Sequence, residues 1–169
     1  LPGHYMIYTT DGLHDETYWE LSSHEHTDSY EDTVEHTRFL VEDAITRQMI
    51  SDVPVCTFLS GGIDSSIVTA IAANYMNTRG KTLNTFSFDF KDNDIYFKSN
   101  SFQPERDLPY VNRMLEEYET VHSYLECDET ALYKALFAAV DAKDMPGMTD
   151  VDSSLLYFCN LVSKKNKVA

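Results

Sequence analysis

The chain has 169 residues, 43% of them apolar, which is enough to form the core of one globular domain. Its 28 acidic residues outnumber its 13 basic ones, and the net charge of -15 works against binding to nucleic acid or to an anionic membrane. An acidic protein that binds phosphates must offset the repulsion with backbone N–H groups, a helix N-terminus or a metal ion. The composition therefore directs attention to glycine-rich turns.

The cysteines and the chain ends indicate a cellular location. Cys56, Cys127 and Cys159 are odd in number and widely spaced, which is typical of free thiols in a reducing compartment. The sequence shows neither a signal-peptide pattern nor an apolar run near the ~18 residues of a membrane helix. These features predict a cytoplasmic protein, and the absence of an initial Met predicts that the chain is a fragment.

The first half of the chain contains two predicted helices around one predicted strand. Residues 1–30 lack sustained periodicity and predict a strand remnant followed by an extended linker. A helix is predicted from Ser29 to Ile50, with Ser29 and Asp32 as its cap. The apolar run 53–59 is typical of a strand buried on both faces of a parallel sheet, and residues 65–79 predict the next helix.

The second half continues the alternation of strands and helices. This pattern predicts an α/β fold with a doubly wound parallel sheet and helices on both faces. The predicted strands span 82–90 and 121–126, with another beginning at 167; the helices span 109–117, 129–142 and 153–164; the loops span 91–107 and 144–152.

The run from Ser60 to Ser66, with the sequence Ser-Gly-Gly-Ile-Asp-Ser-Ser, lies between the predicted buried strand and the helix that follows it. Gly61 and Gly62 permit positive φ and carry no Cβ, so successive backbone N–H groups can converge on an anion. The helix directs its positive dipole end at the same place, and Ser60, Ser65 and Ser66 add hydroxyl donors. The loop therefore predicts a phosphate site.

Asp64 lies inside this loop, where its carboxylate would repel a bare phosphate. It is predicted to bind, directly or through water, a Mg²⁺ ion that bridges phosphate oxygens. The alternative is an ordinary tight turn with Asp64 as a helix cap, but the strand-loop-helix context favours phosphate binding. No Lys follows the glycines, so γ-phosphoryl transfer of the Walker type is not predicted.

The pattern S-G-G-x-D-S at 60–65 resembles the loop of the ATP pyrophosphatases, which cleave ATP between its α and β phosphates. The longer stretch 51–66 is similar to that of the glutamine-dependent asparagine synthetases. Residues 1–5 and 18–19 look like the end of that family's glutaminase domain and its linker, and residues 120–122 look like one of its strand starts. The resemblance covers nearly the whole chain.

This resemblance implies a fold like that of the adenine nucleotide alpha hydrolases, incomplete at the C-terminus. It implies that residues 1–28 end a glutaminase domain and linker, and that 29–169 begin the synthetase domain. ATP, with Mg²⁺ as cofactor, would adenylate the aspartate side chain, and ammonia from glutamine, released by a glutaminase domain absent here, would displace AMP. A homodimer of the parent enzyme, and no nucleic-acid or membrane partner, are further expectations.

The resemblance also implies roles for single residues. Asp64 is the expected catalytic residue and metal ligand, and the backbones of Phe58 and Phe88 are expected to flank adenine, while their rings are interpreted as core. His122 is interpreted as structural rather than facing the substrate. Asp150 and Asp152 lie where many family members carry an Arg, and are interpreted as helix caps. The predicted nucleotide-binding set is Phe58, Ser60, Gly61, Gly62, Asp64, Ser65, Ser66 and Phe88.

Two alternatives remain open. Another ligase of the superfamily, such as a β-lactam synthetase-like cyclase, would use the same loop on a different carboxylate. A non-catalytic nucleotide-binding fragment is the second alternative, because the family's S-G-E-x-A-D-E loop, which completes the pyrophosphate site, would follow Ala169. The isolated chain is accordingly expected to be inactive.

Overall fold

A computed structural model of the protein describes residues 1–101 and 104–169, without the side chains of residues 149 and 150. The chain forms two compact units, Leu1–Thr37 and Arg38–Ala169, and the division falls within helix α1 (Tyr30–Gln48). At the start of α1, Ser29 Oγ accepts the N–H of Asp32 at 3.1 Å and donates to its carboxylate at 2.8 Å. The predicted helix and its cap are confirmed.

The first unit contains an antiparallel hairpin of β1 (His4–Thr9) and β2 (Gly12–Thr17). The prediction of a single strand remnant is therefore wrong. The two strands are joined through Thr10 and Asp11, and Gly12 opens β2 with a φ of +123°. An Asp-Gly pair between alternating residues is a hairpin signal, and it was present in the sequence.

The second unit is built on a parallel sheet of β3 (Cys56–Phe58), β4 (Leu83–Phe90) and β5 (Thr120–Cys127), in that order. Val168 forms a parallel bridge with Val55 on the edge of β3 that faces away from β4, where the Cys56 N–H donates to the Val168 carbonyl at 2.9 Å. Chain order therefore reverses at β3. This arrangement confirms the doubly wound sheet, and the strand predicted to begin at residue 167 is present as a single parallel bridge at Val168.

The helices of this unit cover both faces of the sheet. On one face, α2 packs its Ala72 and Ala73 against Leu83 of β4. On the other face, the ring of Phe158 in α6 stacks on Phe88 with centroids 4.4 Å apart. The helices are α2 (Ile63–Asn77), α3 (Asn93–Tyr96), α4 (Leu108–Glu117), α5 (Glu129–Lys143) and α6 (Thr149–Val162).

Helices α3 and α6 of the second unit also differ from the sequence-based expectation. The short helix α3 lies in the predicted loop 91–107, and α6 begins four residues before the predicted Ser153. Within residues 1–101 and 104–169, none of the helices combines the length and hydrophobicity needed to cross a bilayer.

The capping interpretation of Asp152 is wrong. Its N–H already bonds to the Met148 carbonyl at 2.7 Å, inside α6, and its carboxylate receives the Lys143 ammonium at 2.6 Å. Met148 is the N-cap and provides no side-chain hydrogen bond. The side chain of Asp150, interpreted in the same way, lies outside the described residues.

Candidate functional site

The loop of residues 60–62 joins the carboxyl end of β3 to the first residue of α2. Because chain order reverses at β3, this loop lies at the switch point of the sheet. In open α/β sheets, ligands bind at this point, beyond the carboxyl ends of the strands. The fold therefore places the predicted phosphate loop where a ligand site is expected.

The two glycines of the loop serve different purposes. Gly61 has a φ of +80°, and a Cβ there would lie 2.7 Å from the Asp107 carbonyl and 3.0 Å from the Tyr110 Cβ. Gly62 has a φ of -70° and a ψ of 160°, which any residue adopts, and a Cβ there would meet only Ser60 Oγ, at 3.6 Å. Both glycines permit positive φ, but only Gly61 adopts it.

The hydroxyl of Ser65 holds the loop in shape. Its Oγ accepts the Ser60 N–H at 3.3 Å, lies 3.0 Å from Ser60 Oγ and donates to the Gly62 carbonyl at 3.1 Å. The Ser66 N–H bonds to the same carbonyl at 3.0 Å, as the first hydrogen bond of the helix. The hydroxyls of Ser60 and Ser65 are therefore bonded to each other, and their binding to phosphate stays a prediction.

The start of α2 has open hydrogen-bond donors. The N–H groups of Ile63, Asp64 and Ser65 precede the first i to i−4 bond of the helix, so they have no acceptor within it. Gly62 is the N-cap and has no side chain that could accept from them. Gly62, Ile63 and Asp64 are exposed. An anion placed here would meet these N–H groups and the positive end of the helix dipole.

Asp64 extends from the first turn of α2 into solvent. In the part of the chain that the structure describes, no three His, Cys, Asp or Glu side chains form a group suited to a metal ion. A Mg²⁺ ion bound by Asp64 would therefore take its other ligands from phosphate oxygens and water. Mg²⁺ commonly binds in this way, with one or two carboxylates, so the residues present fit the predicted metal.

Phe58 and Phe88 contribute their rings to the core. Their ring centroids are 5.0 Å apart in an edge-to-face arrangement, and both rings pack against the cluster of Cys56, Phe86 and Val162. This packing agrees with the interpretation of the side chains. The predicted contact of their backbones with adenine stays a prediction.

His122 lies in β5, directly opposite Thr85 of β4. Its Nδ1 is 2.9 Å from Thr85 Oγ1, and its buried Nε2 has no hydrogen-bond partner among the described residues. Burial lowers the pKa of this imidazole below its usual value of 6.5, so the ring is neutral at pH 7. These contacts support the structural interpretation of His122.

A polar cluster beside the loop was missed in the sequence. Asp89, near the end of β4, accepts hydrogen bonds from Asn93 at 2.6 Å and from the Tyr124 hydroxyl at 2.7 Å, and Arg106 lies 4.0 Å from it. The only signal was an acidic residue inside an apolar strand. The cluster borders a cleft with about 30 Å³ of free space, lined by Leu59, Ser60, Ser87, Phe88, Asp89, Asn93, Asp107, Leu108, Val111 and Tyr124.

Comparison with known proteins decides the family. The family model named Asparagine synthase matches residues 36–169, most of the chain. The chain belongs to this family. The resemblance found in the loop and its flanking residues is thereby confirmed.

Family members similar to this chain include two synthetases described as glutamine-hydrolysing. Asparagine synthetase 3 of Bacillus subtilis (strain 168) is 49% identical over 164 residues, which are 96% of this chain and 27% of that protein. A putative asparagine synthetase 2 of Methanocaldococcus jannaschii is 30% identical over 107 residues, 63% of this chain and 18% of the relative. The chain thus spans about a quarter or less of the length of these two family members.

Among solved structures, the crystal structure of NAD⁺ synthetase from Burkholderia pseudomallei aligns with 82% of this chain and 55% of its own. The TM-score is 0.31 and the identity is 18%.

Proposed function

We propose that this chain is the nucleotide-binding part of a glutamine-dependent asparagine synthetase. In the whole enzyme, ATP adenylates the aspartate side chain, pyrophosphate leaves, and ammonia from glutamine displaces AMP. The observation that carries this proposal is the uncapped start of α2, which follows Ser60-Gly61-Gly62 at the switch point of the sheet in a chain of this family.

The loop acts on the leaving group. As the bond between the α and β phosphates breaks, negative charge grows on the departing pyrophosphate. Fixed N–H groups at residues 63–65 stabilise that charge without reorganising, which is the main source of rate enhancement at such sites. Ser60 and Ser65 contribute their hydroxyls by exchanging the bond between them for bonds to phosphate oxygens, and Ser66 adds a third.

Asp64 holds the magnesium ion in this scheme. The ion, when bound, neutralises part of the phosphate charge. The carboxylate lies on the first turn of α2, next to the open N–H groups, so the ion and the helix start would act on the same phosphates. In a chain of net charge -15, this local concentration of positive charge is what allows an anion to bind.

A competition titration tests the site. In the full-length enzyme that carries this segment, Mg·pyrophosphate is expected to compete with ATP, and AMP is expected to bind much more weakly, because the loop holds the β and γ phosphates. Failure of pyrophosphate to compete would reduce the loop to a connection between strand and helix.

Substitution of Asp64 tests the metal role. Asp64→Ala should lower Mg-dependent pyrophosphate release at least ~100-fold and leave glutamine hydrolysis intact, because the glutaminase reaction does not use ATP. Asp141→Ala, which removes an equal charge from the exposed face of α5, is the matched control. Pyrophosphate release at the parental rate in the Asp64 variant would exclude the role.

The substrate is tested by offering different carboxylates to the full-length enzyme. Pyrophosphate release should depend on aspartate. Release with a different carboxylate and not with aspartate would favour the cyclase alternative. The isolated chain is expected to bind ATP weakly and to make no asparagine, since catalysis needs groups that are preorganised together.

A further inference from the structure

The carboxylate of Asp89 contacts residues near both ends of the segment that joins β4 to α4. Asp89 Oδ1 accepts from the Asn93 side-chain amide at 2.6 Å and from the Phe90 N–H at 2.8 Å. Its Oδ2 accepts from the Tyr124 hydroxyl at 2.7 Å and lies 4.0 Å from a guanidinium nitrogen of Arg106. The Asp89 side chain is 16% exposed and that of Arg106 is 31% exposed, so water screens this pair only in part.

Directly after Arg106, the segment reaches Asp107, which lies beside the loop of residues 60–62. Asp107 accepts, through its carbonyl, the N–H groups of Tyr110 and Val111 at 3.0 and 3.1 Å, so it begins α4. The same carbonyl lies 2.7 Å from where a Cβ on Gly61 would be. The backbone at Asp107 therefore touches the backbone of the loop, and Asp107 directly follows Arg106, which pairs with Asp89.

We propose that Asp89 is a positioning residue that fixes the start of α4 against Gly61 and thereby sets the shape of the anion-binding loop. The proposal rests on the proposed function, because it assumes that the loop binds pyrophosphate. Asp89 touches no phosphate itself. It acts through Arg106 and the adjacent Asp107, whose carbonyl contacts the loop at Gly61.

The positioning role and simple electrostatics predict opposite effects of neutralising Asp89 on anion binding, which makes the proposal testable. Asp89 is a negative charge near an anion site, so its neutralisation alone would strengthen anion binding. Asp89→Asn keeps the shape and the acceptor for Asn93, but it presents an amide donor to the Arg106 guanidinium. If Asp89 positions the loop, the variant should bind Mg·pyrophosphate less tightly despite having lost a negative charge.

The first measurement is Mg·pyrophosphate affinity in the full-length enzyme that carries this segment. Asp89→Asn should weaken binding roughly tenfold, since small misplacements of binding groups have effects of this size. Asp92→Asn is the charge-matched control, because Asp92 is exposed and has a φ of 60°, which Asn tolerates. It should leave the affinity unchanged or slightly increase it.

A variant that destabilises the fold away from the loop separates a positioning role of Asp89 from a general loss of stability. Asn166 is 2% exposed, donates to the Pro54 carbonyl at 3.3 Å and accepts from the Asn84 amide at 3.1 Å, at the amino end of the sheet. Asn166→Ala should therefore destabilise the fold, as measured by urea unfolding, without weakening pyrophosphate binding. Equal losses of affinity in Asn166→Ala and Asp89→Asn would reduce Asp89 to a structural residue.

The second measurement is amide hydrogen exchange of this chain without ligand. Asp89→Asn should speed exchange at Tyr110 and Val111, whose N–H groups bond to Asp107, roughly tenfold more than Asp92→Asn does. Unchanged exchange, or pyrophosphate binding as tight as in the wild type, would overturn the positioning role. If wild-type enzyme binds no pyrophosphate, the proposed function fails, and the exchange measurement alone decides whether Asp89 positions α4.

Discussion

Helices α2 and α5 both begin at the carboxyl end of a parallel strand, yet their first turns are completed differently. At α5, Asp128 has φ and ψ of -98° and 169°, and its carboxylate accepts the N–H of Ala131 at 2.8 Å. At α2, Gly62 has nearly the same extended backbone, -70° and 160°, but no side chain to accept. The backbone conformation would permit Asp at both positions.

Under the proposed function, the comparison accounts for the glycine at position 62. When a capping carboxylate accepts the first N–H groups of a helix, they cannot bind an external anion. When the N-cap is glycine, these N–H groups stay available for one. Position 62 therefore needs a glycine because glycine has no side chain, and not because of the φ at this position. Gly61, with its positive φ and its contact with Asp107, is required by the geometry of the turn itself.

The largest effect is expected from a substitution that disrupts the turn before the start of α2. Gly61→Val should lower the free energy of unfolding by about 3 kcal/mol, because a β-branched residue is strained at positive φ and its Cβ would overlap the Asp107 carbonyl. Urea unfolding measures the loss. Gly80→Val has the same strain at a φ of +66° but open space around its Cβ, so it should lose less.

The next largest effect is expected from a substitution that gives the start of α2 the kind of cap found at the start of α5. Gly62→Asp should weaken Mg·pyrophosphate binding roughly 30-fold, or about 2 kcal/mol, because the new carboxylate would accept the Ser65 N–H and repel phosphate. The variant should unfold at a slightly higher urea concentration than the wild type, since α2 gains a cap. A variant that gained no stability and kept full affinity would show that the two starts are not equivalent.

The reverse change at α5 should affect stability alone. Asp128→Ala removes the cap and should cost about 1 kcal/mol of unfolding free energy, while Mg·pyrophosphate affinity stays as in the wild type. Asp128→Asn, which keeps an acceptor for Ala131, is the matched control and should lose only part of that stability. A loss of pyrophosphate affinity in Asp128→Ala would mean that α5 also contributes to the site.

The smallest effect concerns β5, the strand that leads into α5. Because burial lowers the pKa of His122, the unfolded chain takes up a proton more readily than the folded one. The stability from this group is complete above the unfolded pKa of 6.5 and is lost as the pH falls below that value. Unfolding curves at pH 7 and pH 5 should therefore differ less in His122→Gln than in the wild type.

Local signals in the sequence predicted much of this architecture. The Ser29 cap, the apolar run that contains β3, and the helix after the loop all depend on neighbouring residues, so their signals are readable in the chain. The loop 60–66 was predicted for the same reason, and the family model supports the resemblance that rested on it.

The errors arose where distant residues decide the structure. The Asp107 carbonyl that requires Gly61 comes from a segment 46 positions away, and Gly62 was grouped with it only because two glycines are adjacent. Asp152 was interpreted as a cap because it precedes an apolar helix, whereas Lys143 of α5 binds its carboxylate. Such long-range partners leave no local pattern.

The pairing of Val168 with β3 has a consequence for folding during synthesis. Cys56 and Val168 are 112 positions apart, and Asn166 reaches the Pro54 carbonyl across the same separation. Until the ribosome has delivered residues 166–168, one edge of β3 stays unpaired. Contacts so distant in sequence form slowly, and an open strand edge is a template for pairing with other chains. A nascent chain paused before residue 166 would therefore expose this edge of β3 directly before the loop of residues 60–62.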